Sequence, residues 1–160
     1  MSVQKDWPML EARKILKGQE SQEINLQTGF GASGVPHIGT LQEIIRTIWI
    51  EEAVSKMDPS RKVKVIVFVD DLDGLRKVPQ GLEGEGLEDW IDYPVVDIPF
   101  QNTFFADKMV EHLYFTLSYL DLFSEVEIQR ASEKYRSGEF DQGIAEFFRE
   151  YQKIERVGLG

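Results

Sequence analysis

The run "KVKVIVFV", residues 62–69, restricts the fold more than any other stretch of this chain. It opens by alternating lysine with valine and closes as an unbroken apolar, β-branched segment. A strand that loses its alternation in this way suits cover on both faces, as in a parallel sheet with crossover helices. Upstream, "INLQT" (24–28) alternates apolar and polar residues, the pattern of a half-buried strand. Between the two lies "GFGASGVPHIGT" (29–40), followed by Leu41, Ile44, Ile45, Ile48 and Trp49 at i, i+3, i+4, i+7 and i+8, one apolar helical stripe. The proline turn "MDPS" (57–60) closes that helix. Strand, glycine loop, helix and strand make a βαβ unit, expected to be right-handed, and the fold class is α/β.

The rest of the chain extends this frame. Trp7 to Leu16 reads as a first helix ended by Gly18. Residues 79–102, rich in Gly, Pro and Glu, read as an irregular excursion with a helical turn around Leu87 to Ile91. Phe105, Met109, Leu113, Leu117 and Leu120 predict a helix from about Thr103 to Leu122, and "EVEIQ" (125–129) predicts a third strand. A last helix, from about Phe140 to Ile154, sets Phe140, Ile144, Phe147, Tyr151 and Ile154 on one stripe, which is read as core along with the aromatic positions of the helix before it.

A chain of 160 residues is the size of one domain, and at this length it buries roughly two-thirds of the surface exposed when unfolded. With 42% hydrophobic residues it has a globular composition, and with no cysteine it holds neither disulfides nor a thiolate zinc site. The opening "MSVQKDWPML" shows no signal-peptide core and no run approaches a membrane span, so a cytoplasmic protein without membrane contact is expected. Eighteen basic against 28 acidic residues give a net charge of −10, which repels nucleic acid unless a local basic face exists.

Ligands of open parallel sheets collect at the carboxyl ends of the strands. Two unusual clusters fall there: the glycine loop and "DDLDG" (70–74). Glycine at 29, 31 and 34 is expected to permit backbone conformations closed to other residues and the close approach of a ligand. A helix beginning near Gly39 would direct free N–H groups and its positive end at the same place, and His37 could add a donor that stabilises phosphate charge as a bond breaks. The spacing is neither G-x-G-x-x-G nor a loop ending in G-K-[ST], so a plain glycine–proline turn remains an equal reading. Asp70, Asp71 and Asp73 suit magnesium or a substrate amine, or simple turn chemistry. Arg76 and Lys77 could face a phosphate or be merely solvated. His112 reads as a packing residue.

"GFGASGVPHIGT" followed by "DDLDGLRKVP" resembles the class I lysyl-tRNA synthetases. In "PHIGT", His37, Ile38 and Gly39 match the family's His-Ile-Gly-His signature and Thr40 replaces its last histidine. The resemblance extends to "WPMLEARKIL", "IIRT" and "YRSGEFDQGI", most of the chain. It implies a Rossmann-like parallel sheet flanked by helices, with residues 1–160 forming the N-terminal portion of a catalytic domain that activates lysine with ATP and Mg2+ and then esterifies the tRNA for lysine. By the same resemblance, His37 and Gly39 are the catalytic pair, and Gly34, Pro36, His37, Gly39 and Thr40 bind ATP. Gly29, Gly31, Asp71 and Asp73 border the amino-acid pocket, and no protein-held metal is implied.

Several family features are absent from these 160 residues: the Lys-Met-Ser-Lys-Ser signature, the second half of the nucleotide-binding fold, a cysteine zinc site and the helical anticodon-binding region. "LRKVP" belongs to the family's upstream motif and does not replace the lysine loop. The expectation is therefore of synthetase chemistry in form, with activity of this chain alone left open. The competing reading is a non-catalytic truncated paralogue that binds a nucleotide, lysine or a partner. A nucleotidyltransferase of the same superfamily is a third. Half a doubly wound sheet also predicts association, with itself or with a complementary chain.

Overall fold

A computed structural model describes residues 6–156, except the side chains of 152 and 154–156, so the predicted stripe position Ile154 lies outside the described set. Helix α1 (Trp7–Gly18) leads to strand β1 (Glu23–Gly31), helix α2 (Ile38–Met57) and strand β2 (Lys62–Asp70). After a long connection come the two-residue strands β3 (Pro99–Phe100) and β4 (Thr103–Phe104), helix α3 (Phe105–Tyr119), strand β5 (Glu127–Arg130), helix α4 (Ala131–Arg136) and helix α5 (Asp141–Arg156). β1, β2 and β5 form one parallel sheet in the order β1-β2-β5, while β3 and β4 make a small antiparallel hairpin.

The register sets Ile24 beside Val63, Leu26 beside Val65, Thr28 beside Val67 and Phe30 beside Val69. Side chains alternate across a strand, so these residues share one face. On that face Ile44 and Ile48 of α2 and Phe105, Met109, Leu113 and Leu117 of α3 close the main core. Ala12 of α1 packs with Ile24, Ala53 and Val54 in a second cluster. Trp7 meets Trp49, ring centroids 6.3 Å apart, and the Arg46 guanidinium sits 4.9 Å over the Trp7 ring.

The opposite face departs from the expectation of cover on both sides. Its β1 positions (Glu23, Asn25, Gln27, Gly29 and Gly31) are all exposed, as are Lys62 and Lys64 of β2. On β2 only Ile66 and Phe68 are shielded there, with Phe140 against Phe68 and Tyr135 edge-on to Phe140. The lysines that open "KVKVIVFV" mark the uncovered end, and its apolar end marks the covered one.

One further expectation is corrected and another is met with an unexpected burial. The last helix is strongly amphipathic, but its stripe is not core: Phe147 is 48% exposed, Phe148 70% and Tyr151 50%. Periodicity reports that a helix has an apolar face, not that the chain supplies a partner for it. The excursion at 79–102 is irregular as expected, with a 3-10 turn at Glu88–Trp90, yet it is no surface loop. Leu87, Val95, Ile98 and Phe100 from this segment are buried in the main core. The six-residue α4 was not foreseen. No described helix is long and apolar enough to cross a membrane.

Candidate functional site

The chain leaves β1 at Gly31 and reaches α2 through residues 32–37 at the carboxyl edge of the sheet. His37 is the N-cap of α2, with extended backbone, and its Nδ1 accepts a hydrogen bond from the Gly39 N–H at 3.0 Å. A side-chain acceptor for the second helical N–H is the usual capping arrangement. It has a chemical consequence: with the Nδ1 lone pair in use, the ring hydrogen sits on Nε2 and is available as a donor. Gly39 is needed for this fold-back, because a Cβ there would lie 2.9 Å from His37 Cε1 and 3.0 Å from Nδ1. The helix start is therefore less open than the sequence suggests. The Gly39 N–H is taken by His37, and the Leu41 N–H donates to the His37 carbonyl at 3.1 Å.

Across the edge, the loop after β2 is held by a segment that looked featureless. Gly74 bridges Pro94 in antiparallel fashion, the Leu75 N–H donates to the Tyr93 carbonyl at 2.9 Å, and the Asp92 N–H donates to the Leu75 carbonyl at 2.8 Å. The Val95 and Val96 N–H groups reach the carbonyls of Asp73 and Asp71. A Cβ on Gly74 would meet the Asp92 carbonyl oxygen at 3.1 Å, so the glycine of "DDLDG" permits a close backbone approach.

Between these two walls lies a cleft of about 640 Å³, lined from the first side by Gly31, Ser33, Gly34, His37 and Thr40, and from the second by Asp73, Arg76, Lys77, Pro79 and Gln80. Seven of the residues singled out in the sequence thus meet in one cleft: Gly31, Gly34, His37, Thr40, Asp73, Arg76 and Lys77. Gly39 acts from behind, through His37. Pro36 and Gly29 do not line it, and Gly29 borders a separate depression with Gln27, Thr28 and Arg46. The expected backbone freedom of the loop glycines is corrected too. Gly29 and Gly31 are extended strand residues, and the left-handed glycines among the described residues are Gly81, Gly84, Gly86 and Gly138. At Gly29 a Cβ would meet nothing within 4 Å, so what glycine leaves there is open space.

Asp71 is corrected most. Its side chain is fully buried and turned away from the cleft, accepting from Arg130 Nε at 2.7 Å, the Ser132 N–H at 2.8 Å and Ser132 Oγ at 2.6 Å. Arg130 extends the network to Asp107 at 2.6 Å. Burial pushes the Asp71 carboxyl up, but the Ser132 hydrogen bonds and the Arg130 guanidinium outweigh it and hold it below the ordinary value. Asp70 moves the other way, raised by partial burial and by the nearby charges of Asp73 and Asp71. The cationic residues Arg76 and Lys77, read from sequence as a possible phosphate contact or a solvated pair, line the cleft. His112 is half-buried on α3, as expected of a packing residue.

A parallel sheet with its cleft at the carboxyl edge, bounded by a strand–loop–helix junction, defines an α/β domain of the Rossmann-like type. The match to known families is narrower. The family model described as tRNA synthetases class I (K) matches residues 5–159, and the chain belongs to that family. Among curated relatives, a lysine–tRNA ligase of Rickettsia bellii (strain OSU 85-389) is 35% identical over 164 aligned residues, 97% of this chain and 31% of the relative. That of Rickettsia massiliae (strain Mtu5) is 34% identical over 162 residues, 96% of this chain and 30% of the relative. The chain spans just under a third of the length of these relatives.

Proposed function

We propose that this chain carries the ATP- and lysine-binding half-site of a lysine–tRNA ligase, where lysine is activated as its adenylate before transfer to tRNA. The observation that carries the reading is the single cleft shared by His37 and Thr40 at the start of α2 and by Asp73 in the loop after β2. In that reaction a lysine carboxylate oxygen attacks the α-phosphorus of ATP, the bond to the bridging oxygen breaks, and pyrophosphate leaves. The adenylate then yields its acyl group to a tRNA hydroxyl with release of AMP. The chain's contribution is position and charge: the His37 Nε2–H donates to phosphate oxygens, and the Asp73 carboxylate faces the lysine ammonium. Gly31, and Gly29 on the neighbouring side of β1, leave room for the amino acid. Asp71 serves by holding the loop that carries Asp73.

Magnesium takes few protein carboxylates and keeps substrate phosphates as ligands. Asp73 is the one carboxylate of the cleft among the described residues, a donor set that fits an ion carried in by the nucleotide. Bound there, Mg2+ supplies charge neutralisation for the triphosphate.

The test is ATP binding by calorimetry to the chain and to His37→Ala. Loss of one charge-assisted donor should weaken binding about tenfold, and equal affinity in the variant would remove His37 from the phosphates. Lysine-dependent exchange of pyrophosphate into ATP then decides between an enzyme and a binding module: exchange identifies the former, and its absence with ATP binding retained identifies the latter.

A further inference from the structure

We infer that Arg76 and Lys77 form a cationic wall of the cleft that binds the β- and γ-phosphates of the nucleotide, opposite His37. The inference rests on the nucleotide reading of the cleft and adds a second set of phosphate ligands to it. Both residues line the cleft although they are adjacent in sequence, and both are exposed. Neither makes an ion pair with any carboxylate among the described residues, whereas nine other lysines and arginines do. In a chain of net charge −10, two adjacent cations left unpaired at a cleft concentrate positive potential where the rest of the surface disfavours an anion.

The pair is held at both ends. Upstream, Leu75 is fully buried and bonded in both directions to the 92–93 backbone. Downstream, Val78 packs against the main core, and Pro79 lies against Gly34, where a Cβ would be 3.7 Å from Pro79 Cβ. Arg76 and Lys77 are thus carried on a short span anchored in the core at Leu75 and Val78 and passing beside the glycine loop at Pro79. A backbone held in place before the ligand arrives leaves only the two side chains to order on binding, and arginine can fork two N–H bonds onto one phosphate. Asp73 lies in the same cleft but outside ion-pair distance of either residue, which separates a site for an ammonium from a site for phosphates.

The experiment titrates inorganic pyrophosphate, ATP and adenosine, at fixed Mg2+, against the chain, the double variant Arg76→Gln/Lys77→Gln, and the charge-matched control Lys14→Gln/Lys56→Gln on α1 and α2. Thermal unfolding confirms that each variant is folded. The expected result is that the double variant loses about tenfold or more in affinity for pyrophosphate and ATP, keeps its affinity for adenosine, and that the control pair behaves as the parent. Parental affinity for pyrophosphate and ATP in the double variant would overturn the inference and leave the nucleotide reading to the His37→Ala test. An equal loss in the control pair would also overturn it, as an effect of net charge. Binding of neither pyrophosphate nor ATP by the parent chain would remove both readings together.

Discussion

Asp71 and Asp73 stand two residues apart in one motif at one sheet edge, and they have opposite fates. Asp71 is sealed beneath the loop with three hydrogen bonds, one of them from a guanidinium. Asp73 is exposed to the cleft, with its carbonyl, not its carboxylate, tied down by Val95. The comparison separates two tasks that a run of aspartates leaves merged: the first joins β2 to β5 and the start of α4, and the second is free to meet a ligand. A buried carboxylate is tolerated only when its hydrogen bonds and charge are satisfied, so full satisfaction at Asp71 is the signature of a structural part. Lack of satisfaction at Asp73 is affordable only because water reaches it.

The largest test of this contrast is Asp71→Ala, which removes one of the two carboxylate partners of Arg130 and both Ser132 hydrogen bonds and should destabilise the chain by about 3 kcal/mol. Asp73→Ala should stay within about 0.5 kcal/mol and instead weaken lysine binding. Denaturant unfolding of both variants checks the difference, and equal stability losses would abolish the distinction. The same contrast has a pH signature. Because the Asp71 carboxyl lies below its ordinary value of 3.8, its contribution is fully present above that value. It is lost as pH falls through the lowered folded value, since the unfolded state then takes up a proton that the native state resists. The parent's stability should therefore decline below about pH 4 more steeply than that of Asp71→Asn, measured by urea unfolding across that range.

A smaller effect is expected at Gly74. Gly74→Ala forces a methyl against the Asp92 carbonyl and should cost about 1–2 kcal/mol. Hydrogen exchange should then rise at the Leu75 and Asp92 amides, which hold the loop; unchanged protection there would show that the 92–96 segment does not secure it. The smallest effect on stability belongs to Gly39→Ala. Loss of the His37 cap is offset by the better helix propensity of alanine, so stability should move by no more than about 0.5 kcal/mol. The displaced imidazole should nonetheless lower ATP affinity toward that of His37→Ala. A variant that binds ATP like the parent would show that the fold-back of the ring is irrelevant to the site.

Much of the frame was legible in the chain. β1, α2 and β2 follow from alternation, a five-position stripe and a β-branched run, all local patterns with a local cause. The cleft was legible as a place, because a strand–loop–helix junction sits at the carboxyl edge of a parallel sheet whatever its neighbours do. The buried role of residues 87–100 was not legible, since they carry no period and their burial depends on α3 and β2 arriving beside them. Nor was the exposure of Phe147, Phe148 and Tyr151, because the stripe of α5 is identical whether or not anything covers it.

By itself the sequence determined the types and order of the longer elements, the position of the cleft and, through "PHIGT" and "DDLDGLRKVP", the family. Only the tertiary structure decided that His37 spends one nitrogen on its own helix, that Asp71 belongs to Arg130 and Ser132 from the far side of the chain, and that Arg76 and Lys77 turn into the cleft. Local pattern fixes what a residue can do. Contacts between residues as much as 61 positions apart fix which of those possibilities is already taken.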